Sequence, residues 1–323
     1  VLAAFLASMG AAAEVAKYFD WLCQLDSRVP APLQVCYRTD GQTKLKTRKV
    51  KGVAGYRDSQ PVQFGNCAYR QRQVGSLGWF ADSALIFLEA GGDWKPDLSE
   101  LLGRAANYVC KVWRKPDCGV WELSVKAEYV ASKVMAWVTL DRALRVAERL
   151  GQKPPARWGK AREAICAEIL EKGWSEERGS FRQRYGAEAL DAASLLIPLM
   201  RFLPPNDPKV LGTIAAIERE LIIDGLVHRF DPSATLAASS CRWENSKARF
   251  CPRPFGTRTP WRGLAGGKRR RKSCAAVKRS PVSPVFLPRK PMRAAGVSSA
   301  TPLLFSQVEY GRALLALHQN ESD

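Results

Sequence analysis

The chain has 323 residues, 46% of them hydrophobic, which suits one large or two ordinary globular domains with a true core. No run of about 18 consecutive apolar residues occurs, so no membrane span is expected. The net charge of +19 would suggest an acidic partner, but residues 242–293 alone hold sixteen Lys/Arg against one acid, Glu244, so the charge describes a segment and not the whole molecule.

In chain order, "VLAAFLASMGAAAEVA" has the apolar run of a leader peptide. It lacks a basic start, and its helical pattern continues through "AKYFDWL", so a helix over 1–25 is the reading. The chain opens on Val1, as a fragment would. Residues 26–65 are loop-rich, with Pro30, Pro32, Gly41, Gly52, Gly55 and Pro61. Helical periodicity then predicts helices over 78–90, 98–114, 127–150, 157–172, 187–202 and 208–224, separated by Pro/Gly-rich punctuation. The 127–150 stretch is apolar on several sides and is expected inside, with Gly151 as its stop. Strand signals are few, so the fold class is all-α.

Nine cysteines occur with no C-x-x-C spacing, and the histidines are His228 and His318. That composition points to free thiols in a reducing compartment, with the cytoplasm favoured, and to no metal site.

The stretch "PDCGVWE" at 116–122 sets a glutamate beside a tryptophan, after a turn and ahead of a helix. A carboxyl group packed on an indole is partly desolvated, which raises its pKa and suits a general acid. On the tetrapeptide alone, Glu122 as a loop hydrogen-bond acceptor is the commoner reading. The surrounding blocks add to it: "FDWL", "YRTDG", "GYRDSQPVQFGNCAYRQRQ", "YVASKVMAWVTLDRALRVAERLG", "FRQRYGAEALDAASLLIPLMRFLPPNDPKVLGTIAAIEREL" and "TPLLFSQVEYGRALLAL". Together, and in this order, they resemble glycoside hydrolase family 15, which contains glucoamylases, glucodextranases and some trehalases. The resemblance covers nearly all of 1–232 and returns at about 300–317.

The resemblance implies an (α/α)6 toroid, incomplete here, with the active site at one end of the inner helix ring. It implies hydrolysis of α-glucosidic bonds with inversion, an α-glucan or α-glucoside as substrate, and no cofactor or metal. It makes Glu122 the general acid and Trp121 a lining of the sugar site. Lys133 would stand near the pocket on the first turns of the next helix; a solvated helix lysine is an equally common reading. Asn66 and Gln71 would shape the pocket, with loop hydrogen bonding as the plainer alternative.

Several positions depart from the family pattern. The family's sugar-binding Arg-Asp pair and amino-terminal β-sandwich precede the point where this chain begins. The usual Arg after "WE" is Ser124, and the block after "QRQ" reads "VGSLGW", with Gly75 and Trp79 where acidic residues are usual. The general base should lie near 240–255, ahead of a Phe-Trp helix, and the printed sequence has neither, so the base is absent from this chain as written.

The organisation expected is a partial catalytic domain at 1–238, a basic Pro/Arg-rich segment at 239–299, and a terminal toroid helix at 300–323. "KRRRK" at 268–272 resembles a nucleic-acid patch, so the alternative is a non-catalytic helical protein whose basic tail binds nucleic acid or another acidic partner. The genetic code offers a further reading. When the third base of each codon is read with the first two of the next, Phe250–Cys251 becomes Leu and Trp243–Glu244 becomes Gly. The same shift can spell "L-P-A-T-F-W-H-A-H-A-L-A", a Phe-Trp helix of the kind the family carries here. A misread frame across about 240–300 is the reading taken, and the chain as printed is expected to be a weak or inactive hydrolase.

Overall fold

The computed structural model describes residues 2–25, 32–55, 58, 60–223 and 226–230. The expectations for 239–299 and 300–323, including the frame reading, lie outside the described residues. Within them helices dominate. The first expected helix is two: α1 (Leu2–Ser8) and α2 (Ala12–Gln24), broken where Gly10 adopts a φ of 83° that an L side chain resists. A short antiparallel ribbon follows, β1 (Arg48–Val50) on β2 (Val62–Phe64), and then a 3-10 turn at Cys67–Arg70.

The core is built on α3 (Gly75–Glu89) and α5 (Val130–Arg149). Helix α3 is apolar on most sides and packs on both α1 and α5. Their approach is close: a Cβ on Gly78 would stand 2.5 Å from the Met135 carbonyl oxygen. Helix α4 (Pro96–Val112) opens with Pro at its first turn and Asp97 beside it, a sound helix start. It buries Leu98, Leu101, Leu102, Ala105 and Val109 at helical spacing, and it packs on α5 and on α6 (Ala156–Lys172). Phe19, Phe80 and Phe87 interlock where α2 meets α3, with the Phe19 and Phe87 rings 5.2 Å apart. The 127–150 helix is buried as expected but starts at Val130, because Ala127 pairs with Asp117 and the Glu128 carbonyl accepts the Tyr185 N–H.

The expected helix at 187–202 is largely something else. Only a 3-10 turn at Ala192–Leu195 and a single turn, α7 (Leu196–Leu199), form there. Asp191 is tied by a bridge to Phe230, and Gln183 N–H donates to the Ala189 carbonyl, so the backbone upstream is spent on long-range pairing. Pro198 further limits propagation. Strands β3 (Trp174–Ser175) and β4 (Ser180–Phe181) pair antiparallel. Asp207 caps α8 (Pro208–Glu220) by accepting the Lys209 N–H at 2.8 Å. The expected 208–224 helix stops at Glu220 because β5 (Ile222–Ile223) pairs with β6 (Leu226–Val227). No helix among the described residues is long and apolar enough to cross a membrane, and their cysteines are free.

Candidate active site

The loop 116–122 is anchored through Asp117. Asp117 bridges Ala127 through two backbone bonds of 2.9 Å. Its buried carboxylate accepts the Val74 N–H at the start of α3, its own loop's Gly119 N–H, and the Ser132 hydroxyl of α5. Burial pushes that carboxyl above its ordinary value, with the three donors opposing the rise. The chain then turns through Gly119 at φ 66° and Glu122 at φ 58°, closed by the Leu123 N–H to the Cys118 carbonyl at 2.9 Å. Glycine adopts that region freely; glutamate does so against a steric cost.

Two donors from the 66–71 turn converge on Glu122. Asn66 caps the 3-10 turn by accepting the Ala68 N–H at 2.9 Å, which leaves its amide N–H facing the Glu122 carboxylate at 3.4 Å. Gln71 donates to the Glu122 backbone carbonyl at 3.2 Å, and Gln73 donates to the Gln71 side-chain oxygen at 2.8 Å. Trp121 lies half-buried against the cluster formed by Ala131, Met135, Val138, Ala193, Leu196 and Met200. Its indole N–H donates to Asp191 at 2.8 Å, and the Arg229 guanidinium stands 5.3 Å from its ring centroid. Burial lowers the Arg229 pKa from its ordinary value, and the nearby Glu122 charge opposes that fall.

The structure thus brings Asn66, Gln71, Trp121 and Glu122 together from segments far apart in sequence. It corrects two expectations. Glu122 is exposed and not half-buried, since the polar edge of the indole is turned to Asp191 and Arg229 lies against the ring. Lys133 does sit on the first turn of α5, but its side chain is only 3% exposed. Its ammonium donates to the Trp113 carbonyl at 2.7 Å and to Glu128 at 2.8 Å, with Glu168 at 3.6 Å and the Trp113 and Tyr185 rings alongside. It locks helix to loop and is not available to a sugar.

Asp191 and Arg229 were missed by sequence reasoning. Asp191 lay inside a predicted helix, where an aspartate reads as a surface residue. A signal was present, since an aspartate followed by a small-residue run is a good helix N-cap.

A family model, Glycosyl hydrolases family 15, matches residues 1–247. The chain belongs to glycosyl hydrolase family 15. Within the family it is 43% identical over 201 residues to a trehalase of Mycobacterium tuberculosis, covering 62% of this chain and 29% of that one. It is 30% identical over 226 residues to a trehalase of Thermoplasma acidophilum, covering 69% of this chain and 39% of that one. These matches therefore span well under half of the relatives' own length. Among solved structures it is similar to a single-residue variant of a glycosidase, with TM-score 0.55, 19% identity, and coverage of 71% of this chain and 61% of that one. A glycosidase variant in complex with glucose has TM-score 0.53 and 20% identity over the same shares. Identities this low support the likeness of fold alone. Family membership favours a glycosidase-related reading over the basic-tail alternative.

Proposed function

We propose that the chain carries the acid half of an inverting α-glucoside hydrolase site on a partial (α/α)6 toroid, with a trehalose-like α-glucoside as substrate. The observation that supports it is the meeting at Glu122 of two donors from the 66–71 turn, one on its carboxylate and one on its carbonyl. Glu122 protonates the oxygen of the departing sugar. Trp121 offers its indole to a sugar ring, with Asn66 and Gln71 holding the loop and Arg229 adding a charge-bearing wall. Glycosidic cleavage with inversion needs a second carboxylate about 6.5–9.5 Å away to activate water. Glu244, the sole acid of residues 242–293, stands among lysines and arginines with no Phe-Trp motif after it, so the printed chain is taken to lack that base. Glu244 lies outside the described residues. The names of the relatives lean the substrate towards trehalose; the family also takes α-glucans.

Glucose release from trehalose, maltose and soluble starch tests the reading. Without general-base catalysis the rate falls by about two to four orders of magnitude, so the printed chain should release little or no glucose. A chain with the frame across 240–300 restored and the family's amino-terminal part added should regain hydrolysis, with the cleaved glucosyl unit appearing first as β-glucose by NMR. Inverting cleavage of trehalose releases one β- and one α-glucose together, so release of α-glucose alone would sink inversion. Normal release by the printed chain, abolished by Glu122→Gln, would mean that another residue serves as base.

A further inference from the structure

The Trp121 indole is a half-exposed ring on a loop, with a single N–H donor to fix its plane. That donor is spent on a buried carboxylate from a distant part of the chain. The Asp191 oxygen that accepts the Trp121 N–H at 2.8 Å also accepts the Ala193 N–H at 2.8 Å, and the Gln183 side chain lies beside the same carboxylate. Asp191 is itself clamped: its backbone bridges Phe230, and the Ala192 N–H donates to the Arg229 carbonyl at 2.8 Å. The residue that orients the indole and the residue whose guanidinium lies over its ring are therefore joined through adjacent backbone. A merely structural N-cap would not need a 3% exposed carboxylate, because asparagine caps equally well without burying a charge.

We propose that Asp191 is a positioning residue for the sugar platform, setting the plane of the Trp121 indole beside Glu122 and holding it there through a charge-assisted hydrogen bond. This rests on the reading of Trp121 and Glu122 as a sugar-binding acid site. The bond has a direct consequence: rotation of the indole about its side-chain torsions must break it, so the ring is fixed before a sugar arrives. Ordering the ring in advance removes an entropic cost from binding.

The test uses the 323-residue chain with its tryptophans 15N-labelled, the Trp121 indole signal being assigned by its loss in Trp121→Phe. Asp191→Asn keeps the cap to Ala193 but replaces a charged acceptor by a neutral one; Asp191→Ala removes both. The Trp121 indole N–H should exchange with solvent about tenfold faster in Asp191→Asn and faster still in Asp191→Ala, in keeping with the loss of a hydrogen bond to a charged group. At pH 7, Asp191→Asn should melt no lower than the parent chain, which separates positioning from folding. Glucose, titrated in as the probe, should shift the Trp121 signal in the parent, with an affinity several-fold weaker in Asp191→Asn. Unchanged exchange and unchanged glucose affinity in Asp191→Asn would overturn the proposal. A fall in melting temperature that accounts for the faster exchange would reduce Asp191 to a cap and overturn it as well. If the parent signal ignores glucose while the exchange difference holds, the sugar-site reading fails, and with it the functional half of the proposal, leaving only the bond.

Discussion

Glu122 holds a φ of 58°, in a region that costs an L residue about 1–2 kcal/mol. A glycine there would relieve that cost, as Gly119 does three residues earlier at φ 66°. Glu122→Gly should therefore be more stable than Glu122→Ala by about 1 kcal/mol in chemical denaturation. Equal stabilities would remove the strain from the account. Lys133 shows the opposite economy. Its ammonium is buried with three partners on the Trp113 carbonyl, Glu128 and Glu168, so Lys133→Met should cost about 1–3 kcal/mol of stability while leaving glucose binding unchanged. Loss of binding at full stability would return Lys133 to the pocket. Asp191 adds a pH signature. Burial raises its carboxyl to about 6, above the unfolded value of 3.8, with Tyr129, Arg229 and Glu122 as the titratable groups around it and its indole partner. The folded state then holds the extra proton between those values, so stability is greatest below the unfolded value and is lost as pH rises towards 6. Asp117 acts with the same sign. Asp191→Asn should lack its share of that slope, making the stability difference between variant and parent change by about 2 kcal/mol from pH 4 to 7. An unchanged difference across that range would mean that Asp191 is not raised by burial.

At the scale of elements, α3 and α5 cross where Gly78 meets Met135. A Cβ there would stand 2.5 Å from the Met135 carbonyl oxygen and 2.8 Å from its methyl carbon. The first is backbone and cannot swing aside. Gly78→Ala should destabilise by about 1–3 kcal/mol. At Gly75, one turn earlier, the nearest atom would be the Met135 Cβ at 3.5 Å, an ordinary contact. Gly75→Ala should then be neutral or slightly stabilising, because alanine is the better helix former. Thermal melts of the two variants would discriminate between them, and equal effects would argue against this crossing geometry. The site depends on the crossing. The start of α3 supplies the Val74 N–H and the first turns of α5 supply Ser132, both to the Asp117 carboxylate that anchors the Glu122 loop.

At the scale of the whole molecule, the family match ends at residue 247, near the onset of the basic segment. The transcript across codons 239–300 should carry an insertion, a deletion or a misassigned splice site near each end, because the shifted frame forces Leu at Phe250–Cys251 and Gly at Trp243–Glu244. An unbroken transcript in the printed frame would retire that idea. Much of the fold was legible in the residues alone. Helices α4, α5 and α6 lie within a few residues of their predicted bounds, since their apolar periodicity and Pro/Gly punctuation are local properties. The 187–202 segment was not legible, because its apolar run serves equally for a helix or for a buried irregular strand, and pairing with Phe230 decided between them. The same division runs through the site. Trp121 and Glu122 stood out as neighbours in a short motif, and by itself the sequence determined that this is a helix-rich family 15 chain with an acid beside an indole. Only the tertiary structure decided that Asp191 holds that indole, that Arg229 faces it, and that Lys133 is locked inside, because each depends on contacts between residues that periodicity and spacing cannot bring together.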